Sequence, residues 1–266
     1  MPTFINTRPQ QRALPLSDAL TNAGLTVVDL PLLEMIAIEP NKDDKQKLQA
    51  IAQSTYDVLV VVSPTAANLG MRSIKSNQVL SSQTVVAVGD ATAQALAANG
   101  VEAITPQSLS STHHPVTGLN NLNNNEGMLK LPCIQQLSSG SRVMVWRGQG
   151  GRRLLIDSLQ ERGVLVDVIE LYKRQLPEQT FLAYKNWAAK KRAVEDSPIV
   201  LISSNEAFNN WHLVVACNRH YQLNDFIYLV LGSRLANIVQ QKKLLFKQIE
   251  SLNPAHIINQ LAGNKF

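Results

Sequence analysis

The 266-residue chain is 45% hydrophobic and 5% aromatic, and its formal net charge is +5 at pH 7. This length allows one large or two modest domains with substantial cores, whereas the scattered basic residues and the scarcity of aromatics argue against nucleic-acid binding. The two cysteines, Cys133 and Cys217, lack the spacing of a zinc site or a disulfide framework, and no apolar run has the length of a membrane span, so the composition indicates a soluble, cytoplasmic protein with reduced thiols.

Short apolar segments alternate with helical patterns along the chain. In the first half, the sequence predicts a strand at 3–7, a helix at 12–23, a strand at 25–30, a linker at 32–38, a helix at 45–51, a strand at 57–62, a helix at 66–71, a strand at 84–88, a helix at 93–98 and a strand at 101–104. In the second half, it predicts a polar loop at 108–125, a helix at 126–131, a strand at 142–146, a helix at 152–162, a strand at 165–171, a linker at 172–177, a helix at 181–194, a strand at 199–202, a helix at 206–214, a strand at 226–231 and helices at 235–241 and 254–261. This alternation is typical of α/β structures with parallel sheets.

One block of the sequence occurs twice with the same spacing. An arginine is followed 8, 12, 16, 19 and 22 residues later by two apolar residues, a glycine and two further apolar residues. The first copy is Arg8 with Leu16, Leu20, Gly24, Val27 and Leu30, and the second is Arg147 with Leu155, Leu159, Gly163, Val166 and Ile169. Each copy fits a strand, a basic turn, an amphipathic helix that ends at glycine, and a second strand. The repeat predicts two related α/β halves and, between them, an arginine-bearing cleft suited to a large anionic ligand.

Six turns that follow predicted strands are rich in small, hydroxyl-bearing, glycine or arginine residues. They are the turns at 7–9, 63–65, 89–92, 147–152, 203–205 and 232–234. Ligands of open parallel sheets bind beyond the carboxyl ends of the strands, where helix N-termini and arginine side chains favour anions. Ordinary helix capping is a sufficient explanation for any one of these turns, but their common place at the sheet edges favours an anion site.

No phosphate-binding or nucleophile motif accounts for the turn at 147–152. Arg153 stands where a dinucleotide-binding fingerprint requires its third glycine, and the chain has neither a P-loop nor a nucleophile elbow. The histidines, including His113 and His114 in the polar loop, are isolated from other ligating residues. No metal site is therefore expected.

Tyr172 ends a predicted strand beside Lys173 and Arg174. Two interpretations of this tyrosine are open. It is either an interfacial aromatic residue with its hydroxyl in water, or a proton donor that faces the cleft.

Taken together, these motifs resemble the uroporphyrinogen-III synthase family. The matching segments are Thr7-Arg8-Pro9, Val62-Ser63-Pro64, 87–93, the block from Arg147 through Gly163 to Arg174, Ile202-Ser203-Ser204 and Ser233-Arg234-Leu235-Ala236. They occur in the family's order over nearly the whole chain, and the block that begins Arg-Gly-x-Gly-Gly-Arg is their most specific part. Two departures are Gly232-Ser233-Arg234, where some members have a threonine pair after the glycine, and the Asn-rich stretch 120–125, which resembles an insertion.

The resemblance implies two flavodoxin-like α/β domains with parallel sheets, joined by a two-stranded linker, with a cleft between them. One domain is inserted in the other, so that residues 1–36 with 176–266 form the first and residues 37–175 form the second. Arg8 and Arg147 are then expected on different domains, facing each other across the cleft.

The reaction that the resemblance implies is cyclisation of hydroxymethylbilane to uroporphyrinogen III, with inversion of the last pyrrole ring. It proceeds through loss of water and a spiro intermediate, which makes the protein a lyase of haem biosynthesis, and no cofactor or metal is implied. Tyr172 matches the family's tyrosine, a weak general acid, and Thr92 matches a threonine of the second domain. The expected substrate-binding residues are Arg8, Ser63, Gly89, Arg147, Gly148, Arg152, Ser203, Ser204, Ser233 and Arg234.

The expected partners are the small-molecule substrate and, transiently, the enzyme that makes it, with no nucleic acid, no membrane and a monomeric state. A competing class is a non-enzymatic sensor or scaffold of the same fold, which binds a tetrapyrrole or another polyanion without converting it. The intact block at 147–152 and Tyr172 favour the enzyme. A nucleotide- or sugar-phosphate-binding protein is disfavoured because the phosphate motifs are missing.

Overall fold

The structure is a computed structural model that describes residues 2–74, 83–107, 123–190, 197–218 and 220–262. The chain divides into two compact units: unit 1 comprises Met1–Glu34 with Gln175–Phe266, and unit 2 comprises Met35–Arg174. Each unit contains a sheet of mainly parallel strands with helices packed on it, which confirms the expected α/β class.

Ten strands, eleven α-helices and a 3-10 helix at Leu223–Asp225 are among the elements of the described residues. The strands are β1 (Phe4–Asn6), β2 (Val27–Asp29), β3 (Glu34–Ala37), β4 (Val58–Val61), β5 (Thr84–Ala87), β6 (Arg142–Gly148), β7 (Leu165–Gln175), β8 (Ile199–Ile202), β9 (Ile227–Leu231) and β10 (Phe246–Ile249). The helices are α1 (Gln10–Asn22), α2 (Lys42–Ala52), α3 (Pro64–Ser73), α4 (Asp90–Ala97), α5 (Asn125–Met128), α6 (Pro132–Gln135), α7 (Leu154–Glu161), α8 (Glu178–Lys190), α9 (Asn205–Ala216), α10 (Ser233–Gln241) and α11 (Pro254–Ala262).

The sheet of unit 1 has the strand order β2-β1-β8-β9-β10, and every pairing in it is parallel. Counted along the chain of this unit, the order is 2-1-3-4-5, which is the flavodoxin order. The interior strand β1 is buried on both faces, since the adjacent residues Phe4 and Ile5 are fully buried in clusters on opposite sides of the sheet. This explains why the first strand is continuously apolar.

The sheet of unit 2 has the order β3-β7-β6-β4-β5. The four strands β5-β4-β6-β7 are parallel. The strand β3 runs antiparallel to β7, because Ile38 bonds to Leu171 whereas Glu34 bonds to Gln175. The chain passes from one unit to the other within this strand pair, in agreement with an expected two-stranded linker.

The repeated sequence block corresponds to a strand–helix–strand motif in each unit. The first copy forms β1, α1 and β2, and the second forms β6, α7 and β7, with the two strands of each copy paired in parallel. Gly24 and Gly163 follow the two helices with φ angles of 84° and 77°. The helices differ in length, with 13 residues in α1 and 8 in α7, but in each copy the chain crosses from one strand to the parallel neighbouring strand within the same number of residues.

The start of one expected turn and the start of one expected linker are instead the ends of strands. Strand β6 continues to Gly148 because it remains paired with β7 past a register shift between Arg147 and Gly148, and β7 continues to Gln175 beside β3. Arg147 and Tyr172 are therefore strand residues, and the sheet fixes the positions of their backbones.

Several shorter elements also differ from the sequence prediction. The strand β10 and the helix α6 were not predicted. In β10, at a sheet edge, two polar residues separate the apolar ends, so it has no strand alternation, and α6 has only four residues. The strand expected at 101–104 is a single parallel bridge between Val86 and Ile104. Helix α2 begins at Lys42 rather than residue 45, because Asn41 and Asp44 form a capping box.

Parts of three expected features lie outside the described residues. They are His113 and His114, residues 108–122 of the polar loop, and residues 191–194 of the helix expected at 181–194. Within the described residues, no helix combines the length and the apolar character that a membrane span requires.

Candidate active site

Unit 2 contains a cavity of about 390 Å³ at the carboxyl ends of its strands. Residues from β6, β7 and the segments after β4 and β5 line it. Among the lining residues are Ser63, Arg147, Gly148, Arg152, Tyr172 and Arg174. Five of these six were proposed from the sequence, and the parallel sheet brings them together because the carboxyl ends of parallel strands share one edge.

Tyr172 is 3% exposed, and its ring belongs to the apolar core on one side of the sheet. Its hydroxyl oxygen lies 3.1 Å from the Oγ atom of Ser63. Ser63 is the N-cap of α3, and its Oγ accepts the backbone N–H of Ala66 at 3.1 Å. The hydroxyl of Tyr172 therefore contacts the N-cap of a helix in the pocket. This position differs from the first interpretation of Tyr172, in which the hydroxyl of an interfacial aromatic residue lies in water.

The ring of Tyr172 lies directly against the backbone of Gly148. A Cβ atom at this position would be 2.5 Å from Cζ of Tyr172 and 2.9 Å from its hydroxyl oxygen. Any other residue would displace the ring, so glycine at 148 is a steric requirement of the tyrosine's position.

Arg147 is buried, with 6% of its surface exposed. Its Nε donates to the carbonyl of Gly148 at 3.1 Å, and its Nη1 donates to the carbonyl of Arg152 at 3.5 Å. Two of its five N–H groups thus hold the loop at 148–152. The side chain is a structural part of the pocket wall as well as a positive charge within it.

Arg152 and Arg174 supply further positive charge at the pocket. The side chain of Arg152 is 69% exposed and lies 3.7 Å from a carboxylate oxygen of Glu126, a weak surface ion pair. Arg174 was not proposed from the sequence, although it lies two residues after Tyr172 and therefore on the same face of β7. Of the described residues that line the pocket, three are arginines and none is a carboxylate.

Two further candidates of unit 2 have different positions. Gly89 follows β5, and a Cβ atom there would be 2.7 Å from Cγ of Asn123. Thr92 lies in the first turn of α4, where it is 2% exposed. Neither belongs to the described residues that line the cavity.

The remaining candidates lie in unit 1, at the carboxyl ends of three neighbouring strands. Arg8 follows β1, Ser203 and Ser204 follow β8, and Ser233 and Arg234 begin α10 after β9. Ser204 caps α9, since its Oγ accepts the N–H of the residue three positions later at 3.1 Å. These five residues therefore share the carboxyl edge of the sheet of unit 1.

Asn6 holds the turn that carries Arg8, a contact that the sequence analysis missed. Its fully buried amide donates to Ala13 O at 3.1 Å and to Ser17 Oγ at 2.8 Å, while its Oδ1 accepts the backbone N–H of Arg8 at 3.3 Å. Burial, with a smaller contribution from Arg12, lowers the pKa of the half-buried Arg8. An anion at Arg8 would offset both effects.

The described residues contain no group of three or more histidine, cysteine, aspartate or glutamate side chains that could hold a metal ion. The polar groups that line the pocket include the three arginines, the amides of Asn124, Asn125 and Gln149, and the hydroxyls of Ser63 and Tyr172. These groups suit the binding of carboxylates and the transfer of a proton to a departing oxygen.

Both units have mainly parallel sheets with arginines at the carboxyl ends of strands, and unit 2 has a pocket there that suits an anionic small molecule, which defines an α/β protein of anion-binding type. A family model described as uroporphyrinogen-III synthase HemD, HEM4, matches residues 15–245. The chain belongs to the uroporphyrinogen-III synthase family, whose members are enzymes of haem biosynthesis. The family membership disfavours the non-enzymatic alternative.

Curated relatives and solved structures agree with this family. The chain is 29% identical over 190 residues to uroporphyrinogen-III synthase of Proteus mirabilis, covering 69% of this chain and 88% of the relative. It is 25% identical over 244 residues to that of Escherichia coli K12, covering 90% and 91%. The crystal structure of a mutant uroporphyrinogen III synthase from the extremely thermophilic bacterium Thermus thermophilus matches with a TM-score of 0.62 at 13% identity, covering 98% of this chain and 96% of that one. The enzyme from Helicobacter pylori 26695 matches with a TM-score of 0.57 at 14% identity, covering 98% of each chain, and these two likenesses support the fold.

Proposed function

We propose that this chain cyclises hydroxymethylbilane to uroporphyrinogen III, with loss of water and inversion of the last ring through a spiro intermediate. Family membership supports the reaction class. The pocket of unit 2 is the structural observation that supports the proposal most directly. Its described lining contains three arginines and a buried tyrosine, and it lacks carboxylates. Such a pocket suits a substrate that carries eight carboxylates.

The main task of this enzyme is to position its substrate. The linear tetrapyrrole closes spontaneously to the wrong isomer, so the protein must hold the last ring in an orientation in which its substituted carbon attacks. Arg152, Arg174 and the loop held by Arg147 would bind acetate and propionate arms in unit 2. Arg8 and the hydroxyl-bearing turns of unit 1, including Ser203, Ser204, Ser233 and Arg234, would bind others.

Tyr172 is the proposed weak general acid. Its hydroxyl lies in the pocket, and it would give its proton to the departing hydroxyl of the substrate, so that water rather than hydroxide leaves. Thr92 is buried in the first turn of α4, and from there it would maintain the turn at 89–92 rather than touch the reacting atoms.

We further propose that the enzyme works as a cytoplasmic monomer and receives its substrate directly from the enzyme that makes it. The spontaneous closure of hydroxymethylbilane supports direct transfer, because free substrate is lost to the wrong isomer. Both cysteines are unpaired, which suits a reducing compartment. Size-exclusion chromatography tests the monomeric state, and a dimeric elution volume would overturn it.

One experiment tests the proposed function. Purified protein is mixed with freshly prepared hydroxymethylbilane, and the III and I isomers are separated and quantified after oxidation. We expect the III isomer to predominate over the I isomer that forms spontaneously. The I isomer alone, at the rate of the protein-free control, would overturn the proposal, and tight binding without conversion would identify a binding protein instead.

A further inference from the structure

The contact between Ser63 and Tyr172 determines where the tyrosine's only hydroxyl proton can point. The two oxygens are 3.1 Å apart, and by position alone either could be the donor. If Tyr172 donates to Ser63, its proton is already used. If Ser63 donates to Tyr172, the tyrosine's proton remains available to a ligand in the pocket.

The helix cap favours the second arrangement. The Oγ atom of Ser63 accepts the backbone N–H of Ala66, so one of its two acceptor positions is occupied. A hydroxyl that accepts one hydrogen bond becomes a stronger donor in the next. The same serine can therefore cap α3 and donate to Tyr172 at once.

Gly148 restrains the same tyrosine from the neighbouring strand. The ring lies where a Cβ atom of residue 148 would be, 2.5 Å from Cζ. Strand pairing adds a main-chain restraint, because the N–H of Gln149 donates to the carbonyl of Tyr172 at 2.8 Å. The ring has little freedom to turn, so the direction of the hydroxyl depends on its partner at Ser63.

We propose that Ser63 and Gly148 are positioning residues for Tyr172, and that Ser63 donates to the tyrosine's oxygen so that its proton points into the pocket. This inference rests on the proposed function, in which Tyr172 protonates the leaving hydroxyl. It assigns Ser63 an action through Tyr172 instead of the direct contact with substrate that the family resemblance implies.

Steady-state kinetics of III-isomer formation separate these two roles. Ser63→Ala is expected to lower kcat about tenfold while KM changes less than about twofold. The variant no longer orients the hydroxyl proton of Tyr172, but it removes no contact with the substrate. Ser63→Thr keeps both the donor and the cap, so its kcat should stay within about threefold of wild type. A higher KM with unchanged kcat in Ser63→Ala would overturn the inference in favour of direct substrate binding.

The double variant gives the sharpest test. In a Tyr172→Phe background there is no hydroxyl to orient, so adding Ser63→Ala should lower kcat no further. Losses that multiply would overturn the inference. If Tyr172→Phe itself retains full kcat, both the role of Tyr172 as general acid and the positioning role of Ser63 are overturned. The proposed function is tested separately, and it fails only if the wild-type protein forms no III isomer.

A cap elsewhere in unit 2 provides a matched control. The side chain of Asn41 accepts the N–H of Asp44 at 2.9 Å and caps α2, without lining the pocket. Asn41→Ala and Ser63→Ala should lower the Tm to a similar extent, but only Ser63→Ala should lower kcat. An equal loss of kcat in both variants would show that helix capping alone accounts for the effect.

Gly148→Ala tests the steric restraint independently. The added methyl must displace the ring of Tyr172, so kcat should fall at least about tenfold in protein whose circular dichroism is that of wild type. Wild-type kcat in folded Gly148→Ala protein would overturn the role of Gly148. If this variant does not fold, the proposal is tested by the Ser63→Ala and Ser63→Thr variants and by the double variant alone.

Discussion

The guanidinium of Arg147 occupies the space next to Gly151 in which a side chain would begin: a Cβ atom on Gly151 would lie 2.6 Å from Nη2 of the arginine. The loop that follows β6 therefore folds back on the arginine that precedes it. Arg147 holds two carbonyls of this loop, and glycine at 151 makes the approach possible. The residues of the Arg-Gly-x-Gly-Gly-Arg motif therefore pack against one another, and they do not act as independent substrate-binding groups.

Arg147→Ala is expected to raise KM at least about tenfold, since the loop carbonyls lose their donors and the pocket loses a buried charge. The protein should still fold, but its Tm should fall by a few degrees, because a buried side chain that holds two loop carbonyls is removed. Arg147→Lys should not restore KM, as an ammonium group cannot reproduce the fork that reaches both carbonyls. Wild-type KM in Arg147→Ala would remove this residue from substrate binding.

Gly151→Ala should raise KM on its own but add nothing to Arg147→Ala, since removal of the guanidinium frees the space for the methyl group. KM values from the two single variants and the double variant measure this coupling. Independent, multiplying effects would show that the two residues act separately.

Arg152→Ala is expected to raise KM several-fold, and the effect should shrink as salt is added, because the side chain is exposed and its attraction for carboxylates is screened. Arg153 is the matched control. It is similarly exposed, with 63% of its side chain accessible, but it pairs with Asp157 and does not line the pocket. Arg153→Ala should leave KM unchanged at every salt concentration, and equal effects of the two variants would indicate only a general charge effect.

Tyr172→Phe should lower kcat at least tenfold, which corresponds to about 1.4 kcal/mol of barrier. The ring remains in the core and only the hydroxyl is lost, so the Tm should stay close to that of wild type. The coupled assay for the III isomer measures the effect. Unchanged turnover would show that Tyr172 is a core residue whose hydroxyl only forms a hydrogen bond with Ser63.

Stability should fall at acidic pH because of His212. Burial, and to a smaller extent Lys242, lowers the pKa of this histidine below its ordinary value of 6.5, and its Nε2 is buried without a partner among the described residues. The unfolded chain binds the proton more readily, so this contribution to the free energy of unfolding is complete above about pH 6.5 and is lost as the pH falls below it. Urea unfolding at pH 7 and pH 5 measures the loss.

His212→Phe should reduce that loss of stability. The ring centroids of His212 and Phe208 are 4.7 Å apart, and a phenylalanine can keep this edge contact but cannot take up a proton. His220→Gln, which removes an exposed imidazole, is the control variant. A pH dependence that is the same in His212→Phe and wild type would show that other groups cause the acid loss.

Much of this protein could be predicted from its sequence, for reasons visible in particular residues. The β-branched runs of β4 and β8 are buried on both faces, and such strands require continuous apolar sequence. The repeat from Arg8 and Arg147 predicted a strand–helix–strand motif twice, because the apolar face of each helix and the glycine that follows it are visible in the local sequence. The α/β class and the family follow from these local patterns.

Tertiary structure alone decided which of the candidates share a pocket and what each one contacts. Ser63 and Tyr172 are 109 residues apart, and they meet only because β4 and β7 flank β6 in one parallel sheet. Arg147 holds the loop that follows it rather than standing as a free charge, a contact that no local pattern encodes. Local sequence determined the elements because helix and strand periodicity are short-range properties, whereas strand order and side-chain packing, which are long-range, determined the site.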